Sequence, residues 1–468
     1  MKILFLVHDG LTVPLGVSYL AAIAEELGHE IGAVALTDRR MVQAAEDCRP
    51  DLLAFGSTTG FHRKYLEMVE PLAERLGVPV IMGGAHPTFF PEVMDENPWL
   101  DYAMRGEADT AFPVFLRALE NRTPLSTVGN LMYRENGRVR MNPLLPLVQD
   151  LDSIPFPKRD LLPGGNRKAV FCITGRGCPY DCTYCFNHTY RDIYRNLGQQ
   201  CRRRSVHNVI SEIREVKEAD DQLQMIVFQD DIFILDHEWV REFCRIYPEE
   251  IGLPFHCHLR ANLVTEEITG LLAGAGCISV KMALENTNER ILNEVLGRNL
   301  RVSTLEKACR LVKKSGIRLV TQNFLGVPTS TLEDDIATLA FNHSIRPDFA
   351  FATLLQPYPK TRIAEFCRER NLIRNDQEIP DSFFDDTVLK IDDISKRKRL
   401  RHLFALSIEF KFLRPLLHVL LNLPLDGVYS FFDKLWKGYC IKQREFPYKL
   451  TFREYAGSVF SYLRSRYY

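Results

Sequence analysis

The residues best suited to chemistry lie between 178 and 186, in the order Cys178-Pro179-Tyr180-Asp181-Cys182-Thr183-Tyr184-Cys185-Phe186. They follow the apolar run Ala169 to Ile173, which places them on a loop leaving a strand. Cysteines spaced Cys-x3-Cys-x2-Cys can put three thiolates on three irons of one cubane cluster, leaving the fourth iron without a protein ligand. That iron is then free to bind a small molecule. Two other readings compete. A structural zinc site needs a fourth Cys or His at closed tetrahedral geometry, for which His188 is the nearby candidate. A disulfide leaves one cysteine over and needs an oxidising compartment.

The loop is positioned by an alternation of strands and helices. Candidate strands are Ala169 to Thr174, Met225 to Gln229, Phe255 to Leu259, Ile278 to Leu284, Arg318 to Leu325 and Phe349 to Leu355, with amphipathic helical stretches between them. Six such units make a partial parallel barrel open on one side, whose active site faces the carboxyl ends of its strands. The cysteine loop leaves the first of them. Gln229, Asp230 and Asp231 close the second, and adjacent carboxylates there either meet an incoming cation or cap a helix. Arg260 ends the third and reads as an anion ligand or a surface ion pair. Glu285 ends the fourth, Asn323 to Pro328 end the fifth, and Gln356 to Thr361 end the sixth.

An earlier alternation has shorter repeats. Lys2 to Val7, Ile31 to Leu36, Asp51 to Ser57, Pro79 to Gly84 and Asp101 to Arg105 read as five parallel strands covered by helices, a doubly wound sheet whose ligands bind at the strands' carboxyl ends. Small and polar residues stand there: Ser57, Thr58, Thr59 and Gly60, then Gly83, Gly84 and His86, then Arg105, Gly106 and Glu107. Read blandly, they are ordinary turns. The expected fold is therefore α/β: a Rossmann-like, flavodoxin-like domain over 1–125, a hairpin and proline-rich linker over 126–165, a partial (β/α)6 barrel over 166–375, and a mainly helical, basic and aromatic region over 376–468.

The 468 residues suggest two or three domains, and 46% hydrophobic with 25% charged residues is the balance of a globular protein. A net charge of -1 argues against bulk attraction to nucleic acid. Cys48, Cys172, Cys244, Cys257, Cys277 and Cys309 sit in apolar or helical surroundings and read as packed free thiols. The opening apolar run is too short for a signal peptide, and no stretch reaches the roughly twenty apolar residues of a spanning helix, so a reducing, cytoplasmic setting is expected. From residue 395 onward fifteen Lys and Arg face five Asp and Glu, 15 − 5 = +10. These helices either cap the open barrel or contact an anionic membrane face, which would admit a lipid-like substrate.

The cysteine spacing, with Phe186 directly after the last cysteine, resembles the signature of the radical S-adenosylmethionine enzymes. The resemblance implies a [4Fe-4S] cluster on Cys178, Cys182 and Cys185 whose open iron holds S-adenosylmethionine. One electron, from a donor such as flavodoxin or ferredoxin, then yields a 5′-deoxyadenosyl radical. By the same resemblance Phe186, Gln229, Asp230, Asp231, Arg260, Glu285, Asn323 and Gly326 contact that cofactor, with Asn323 replacing a family glycine and Asn286-Thr287 departing from a glycine-rich turn.

Residues Pro14-Leu15-Gly16, the Gly-Gly-x-His-Pro-Thr run at 83 to 88 and Arg105-Gly106-Glu107 look like the cobalamin-binding domain that precedes many such barrels. This implies corrinoid contacts from Leu15, Gly16, Ser57, Thr58, Thr59, Gly83, Gly84, His86 and Glu107. The family's Asp-x-His-x-x-Gly is incomplete, because Leu6 and Leu11 replace its Asp and Gly; His8 is left as a poorly specified lower ligand to cobalt. The reading is a cobalamin-dependent radical S-adenosylmethionine enzyme that methylates an unactivated carbon of a small molecule through methylcobalamin. Radical cyclisation or rearrangement is the alternative, and a corrinoid- or redox-sensing module without turnover is the alternative of another class. A methylthiotransferase is disfavoured, since its first domain supplies three more cluster cysteines and this one offers only Cys48.

Overall fold

In the computed structural model, residues 1–7, 15–36, 41–161, 168–374, 379–380 and 386–451 are described. The chain divides into two compact units, one of residues 1–167 with 189–204, the other of 168–188 with 205–468. The expected ligand His8 lies outside the described residues, as does Pro14.

The first unit is a seven-stranded sheet in the order β2-β1-β3-β4-β5-β6-β7. Its strands are β1 Lys2–Val7, β2 Glu30–Ala35, β3 Leu52–Gly56, β4 Val80–Gly83, β5 Tyr102–Met104, β6 Leu131–Glu135 and β7 Arg138–Met141. Near-continuous apolar sequence forms the central strands because both faces are covered. Leu4 and Leu6 of β1 pack on Tyr65, Leu66 and Val69 of the helix His62–Leu76, while Ile3, Phe5 and Val7 pack on Phe112, Phe115 and Leu116 of a helix over Ala111–Asn121. The first five strands are parallel, and the order reverses between β1 and β3, which opens a crevice at their carboxyl ends.

Two features depart from expectation. The hairpin assigned to the connector over 126–165 is instead the edge of this sheet: β6 pairs antiparallel with β5, matching Tyr102 with Tyr133 and Ala103 with Met132. Leu131, Met132 and Tyr133 supply apolar side chains to both cores, which is what holds the hairpin on the sheet. Asn136 and Gly137 both adopt positive φ, 51° and 76°, as a two-residue hairpin turn requires. Residues 85 to 89, read as a turn, form a short helix after β4, with Pro87 in its first turn, where a missing N–H costs nothing.

The second unit carries six parallel strands in strictly sequential order: β8 Ala169–Cys172, β9 Met225–Phe228, β10 Phe255–Leu259, β11 Cys277–Glu285, β12 Arg318–Leu325 and β13 Phe349–Leu354. Each strand pairs with the next, and β8 and β13 are the two edges, so the barrel is open between them. Alternation decides what faces where. Phe255, Cys257 and Leu259 join the core beneath the outer helices; His256 and His258 point the other way, into the lumen, where His256 meets Ser279 (2.8 Å) and Phe446 (5.0 Å between ring centroids).

The region after 393 completes this unit. Helix Ile394–Glu409 covers β13 through Leu400, Leu403 and Phe404 against Ala350, Ala352 and Leu354. After Asp426–Cys440 the chain turns inward. Cys440 and Ile441 pack on Val320, Phe349 and Phe351, and Tyr448 packs on Ala169, Met225 and Val227. The segment thus bridges the amino ends of the first and last strands and leaves the carboxyl ends to the loops. No helix is long and apolar enough to cross a membrane among the described residues.

His343, on helix Leu332–Ile345, meets Ser407 of the covering helix at 3.2 Å. Burial, reinforced by the Arg414 cation, pushes its imidazole down to about 4. The unfolded chain takes up this proton near the ordinary value of about 6.5 while the folded chain resists it until about 4, so its share of stability is intact above 6.5 and falls as pH drops toward 4. His343→Gln is expected to lose less thermal stability than the parent between pH 7 and pH 4.5, measured by circular dichroism melts.

Candidate active site at the strand carboxyl ends

The cysteine loop is held by backbone. Thr183 donates its N–H to Leu296 O at 3.1 Å and its hydroxyl to Val295 O at 2.6 Å, and Ile363 N donates to Thr183 O at 2.9 Å. Gly297 lies against this loop with φ of 64°, where a Cβ would stand 3.0 Å from Asp181 O. His188 is buried, one ring nitrogen at 3.3 Å from Cys182 O and the other at 3.3 Å from Arg362 N. Both nitrogens brace the loop, which removes the fourth ligand that a zinc reading required.

None of the twelve cysteines is in a disulfide. Burial pushes Cys178 up to about 12 and Cys185 up to about 11, with Asp231 and the neighbouring cysteine sulfurs pushing the same way. Thiolates at Cys178 and Cys185 are therefore unfavourable until cations neutralise them. Among the described residues no three His, Cys, Asp or Glu side chains converge as ligands of a single ion. A cubane takes its thiolates on three separate irons, which a Cys-x3-Cys-x2-Cys loop can supply.

Two buried guanidiniums face the sulfurs. Arg260 Nη1 lies 3.6 Å and Arg298 Nη1 3.9 Å from Cys182 Sγ. Arg260 also donates to Arg298 O (2.6 Å) and stacks 3.6 Å over the Tyr180 ring. Arg298 donates to Ala283 O at 2.7 Å and to Tyr184 Oη at 3.1 Å, and Tyr184 donates to Glu285 Oε1 at 2.6 Å. Burial raises the Glu285 carboxyl, with Arg298 opposing. Glu285 has φ of 67°, a strained conformation for a side chain of its size, at a register shift between β11 and β12. The Nε atoms of both arginines are buried without an acceptor, donors that an anionic ligand would satisfy.

The remaining expected contacts divide. Asp231 lies beside the sulfurs, accepts from Asn187 Nδ2 at 3.0 Å, and belongs to the same group. The Asp230 carboxylate is taken up by Thr174, from its N–H at 3.1 Å and its hydroxyl at 2.6 Å, so it ties the first strand's end to the second. Gln229 N donates to Cys172 O across the same pair of strands. Phe186 has its ring 6.2 Å from that of Tyr358. The Asn323 side chain faces away from the lumen, accepting from Asn342 (2.9 Å) and donating to Phe351 O, because it shares a strand face with Thr321 and Leu325. Gly326 (φ 64°) donates to Asp335, itself paired with buried Arg397 at 2.8 Å, and a Cβ there would strike Ile391 at 2.8 Å. Its role is to let the turn close. Tyr184 and Arg298 were not read from the sequence as site residues; the signal for the first was an aromatic between two cluster cysteines.

In the first unit, Ser57, Thr58, Thr59, Gly83, Gly84 and His86 gather at the ends of β3 and β4. Ser57 N donates to Gly83 O at 3.1 Å and His86 N to Ser57 O at 2.9 Å. The His86 ring meets Thr59 at 3.2 Å and stacks 3.6 Å from His62. Gly84 (φ 94°) must be glycine, since a Cβ would stand 2.8 Å from Ser57 O; Cβ atoms at Gly16 and Gly83 would meet nothing within 4 Å. That open backbone is room for a ligand's approach and fits a corrinoid's tail. Leu15 and Gly16 open helix Leu15–Glu26 at the same end of the sheet. The Glu107 carboxylate is engaged bidentately by buried Arg202, at 2.6 and 2.8 Å, which leaves it a brace and not a free ligand.

Tyr184→Phe removes a donor from a buried carboxylate and is expected to lower stability by about 1–3 kcal/mol in denaturant melts, without loss of reconstituted iron. Gly84→Ala is expected to lower the melting temperature and weaken corrinoid retention, read from the visible spectrum after gel filtration.

Residues 172–341 match the radical SAM superfamily and residues 1–116 match the B12 binding domain. An uncharacterized methyltransferase of Pyrococcus horikoshii, PH0819, is 31% identical over 77% of this chain and 79% of its own length. The anaerobic magnesium-protoporphyrin IX monomethyl ester cyclase of a Synechocystis strain is 25% identical over 78% of this chain and 74% of its own. The structure of the radical S-adenosylmethionine methyltransferase TsrM from Kitasatospora setae, bound to tryptophan and a SAM analog, superposes with a TM-score of 0.67 at 18% identity, covering 81% and 79% of the two chains. With a thiol trio suited to a cubane at the mouth of a half-barrel and a B12-type sheet ahead of it, this chain belongs to the cobalamin-dependent radical S-adenosylmethionine enzymes, whose cofactors are a [4Fe-4S] cluster, S-adenosylmethionine and cobalamin.

Proposed function

We propose that the protein methylates an unactivated carbon of a small molecule. The observation that carries this is the convergence of Cys178, Cys182 and Cys185 with Arg260, Arg298, Tyr184 and Glu285 at the carboxyl end of the barrel, in a chain that also holds a B12-type domain. When bound, the cluster supplies the electron that splits S-adenosylmethionine into methionine and a 5′-deoxyadenosyl radical, and the corrinoid supplies the methyl group. The three cysteines hold the cluster; the free guanidinium N–H groups of Arg260 and Arg298 suit the cofactor's carboxylate; Glu285 suits a ribose hydroxyl. Ser57, Thr58 and the open backbone at Gly16 and Gly83 suit the corrinoid's tail. The lumen below is polar, with His256, Ser279 and the ion pair of half-buried Lys281 with buried Glu445, so this end of the barrel is a packed floor and not a substrate channel. A flavodoxin or ferredoxin is the electron donor we expect. A reducing, cytoplasmic setting is the one we expect.

Ring closure is the second reading, favoured by the similarity to the anaerobic cyclases. Anaerobic turnover of the reduced, reconstituted protein with methyl-labelled S-adenosylmethionine separates the two. Methylation puts the label into product beside 5′-deoxyadenosine, whereas cyclisation releases 5′-deoxyadenosine and leaves the product unlabelled. Cys182→Ala is expected to lose both cluster colour and cofactor cleavage. Retention of either, or a parent that releases no 5′-deoxyadenosine, sinks the assignment.

A further inference from the structure

Eleven of the thirteen large apolar side chains exposed among the described residues lie between Phe410 and Tyr439, on the short helix Leu417–Asn422, the helix Asp426–Cys440 and the turns around them. Phe412 is 67% exposed and Val419 59%, so they project from the surface and do not line a groove. So concentrated an apolar patch marks an interaction surface.

The charges around it are one-sided. Every acidic side chain between Ile394 and Thr451 is ion-paired within the protein: Glu409 with Arg444, Asp426 with Arg399, Asp433 with His402 and Lys437, and Glu445 with Lys281. Lys411 and Lys434 have no carboxylate partner among the described residues, and they alternate with the apolar residues in Phe410-Lys411-Phe412 and Lys434-Leu435. Trp436 sits between Phe410 (5.2 Å) and Tyr439 (5.3 Å). Lysine is depleted at the apolar centre of protein interfaces. At a bilayer the same lysines reach up to phosphates while Phe, Trp and Leu enter the acyl boundary.

We propose that the face spanning Phe410 to Tyr439 docks on an anionic lipid bilayer and lies in its surface, since no helix among the described residues is long and apolar enough to cross it. Docking does not depend on which reaction the barrel performs, and its test reads lipid and not turnover.

The full chain is sedimented with sucrose-loaded vesicles of phosphatidylcholine alone and of phosphatidylcholine mixed with phosphatidylglycerol, at low and high salt. Binding is expected to the mixture and to weaken with salt. The triple variant Phe412→Ser, Val419→Ser, Phe431→Ser is expected to lose binding by about tenfold or more, and Lys411→Gln with Lys434→Gln to lose it on the order of tenfold. These side chains are solvent-exposed, so unchanged circular dichroism melts confirm folding. The proposal is overturned by no sedimentation with the mixture, or by equal sedimentation of parent and triple variant. It is also overturned if the parent is a dimer by light scattering that the triple variant breaks while neither binds vesicles, which would make this face a contact between copies.

Discussion

Negative charge buried at the mouth of the half-barrel is the condition that the rest of the second unit answers. Cys178, Cys185 and Glu285 share a region where burial disfavours each of their charged forms, and Asp231 stands beside the sulfurs. Arg260 and Arg298 are the local reply, and neither can move away. Arg260 is fixed by Arg298 O and by the Tyr180 ring, and Arg298 by Ala283 O and Tyr184. Each keeps one N–H without an acceptor, so the balance is struck for a further anion and not for the bare site. Leaving buried donors unmet costs free energy, on the order of 1–3 kcal/mol each. Such a cost is tolerated where a ligand is to repay it.

The sheet makes this arrangement possible through a simple alternation. On β10 the apolar residues Phe255, Cys257 and Leu259 anchor the strand to the outer helices, and His256, His258 and Arg260 are thereby driven inward. Burial pushes His258 down to about 3, which keeps it neutral near the cationic Lys281. The inward row thus runs from neutral imidazoles at the floor to a guanidinium at the rim. Segment 441–450 closes the floor with aromatic and ion-paired contacts, so the carboxyl end is the one left to the loops.

What the sequence made legible follows from the range of each interaction. The cysteine trio, the hairpin and the strands are set by neighbours a few residues apart, and all were readable. Arg298 was not, because its meaning lies in contacts with Cys182, 116 positions away, and Ala283. Asn323 was read as a cofactor contact from the family resemblance, but one residue of phase puts its side chain under helix Leu332–Ile345 beside Asn342. Glu107 and Asp230 were read as cofactor contacts, yet their carboxylates are engaged by Arg202 and Thr174, partners that could not be seen without the fold. The hairpin was found and its owner was not, since pairing with β5 depends on a sheet edge that only three dimensions supply.

Glu285 joins the fold to the chemistry most tightly. It ends β11 in a left-handed conformation at the one place where the β11–β12 register slips, between Ala283 and Glu285. A non-glycine residue held there stores on the order of 1–3 kcal/mol unless its surroundings over-determine it. They do: its carboxylate accepts the Tyr184 hydroxyl, Tyr184 belongs to the cysteine loop, and Arg298 bridges the two. The strained strand end and the cluster loop therefore fix each other, so that displacing either one moves the sulfurs.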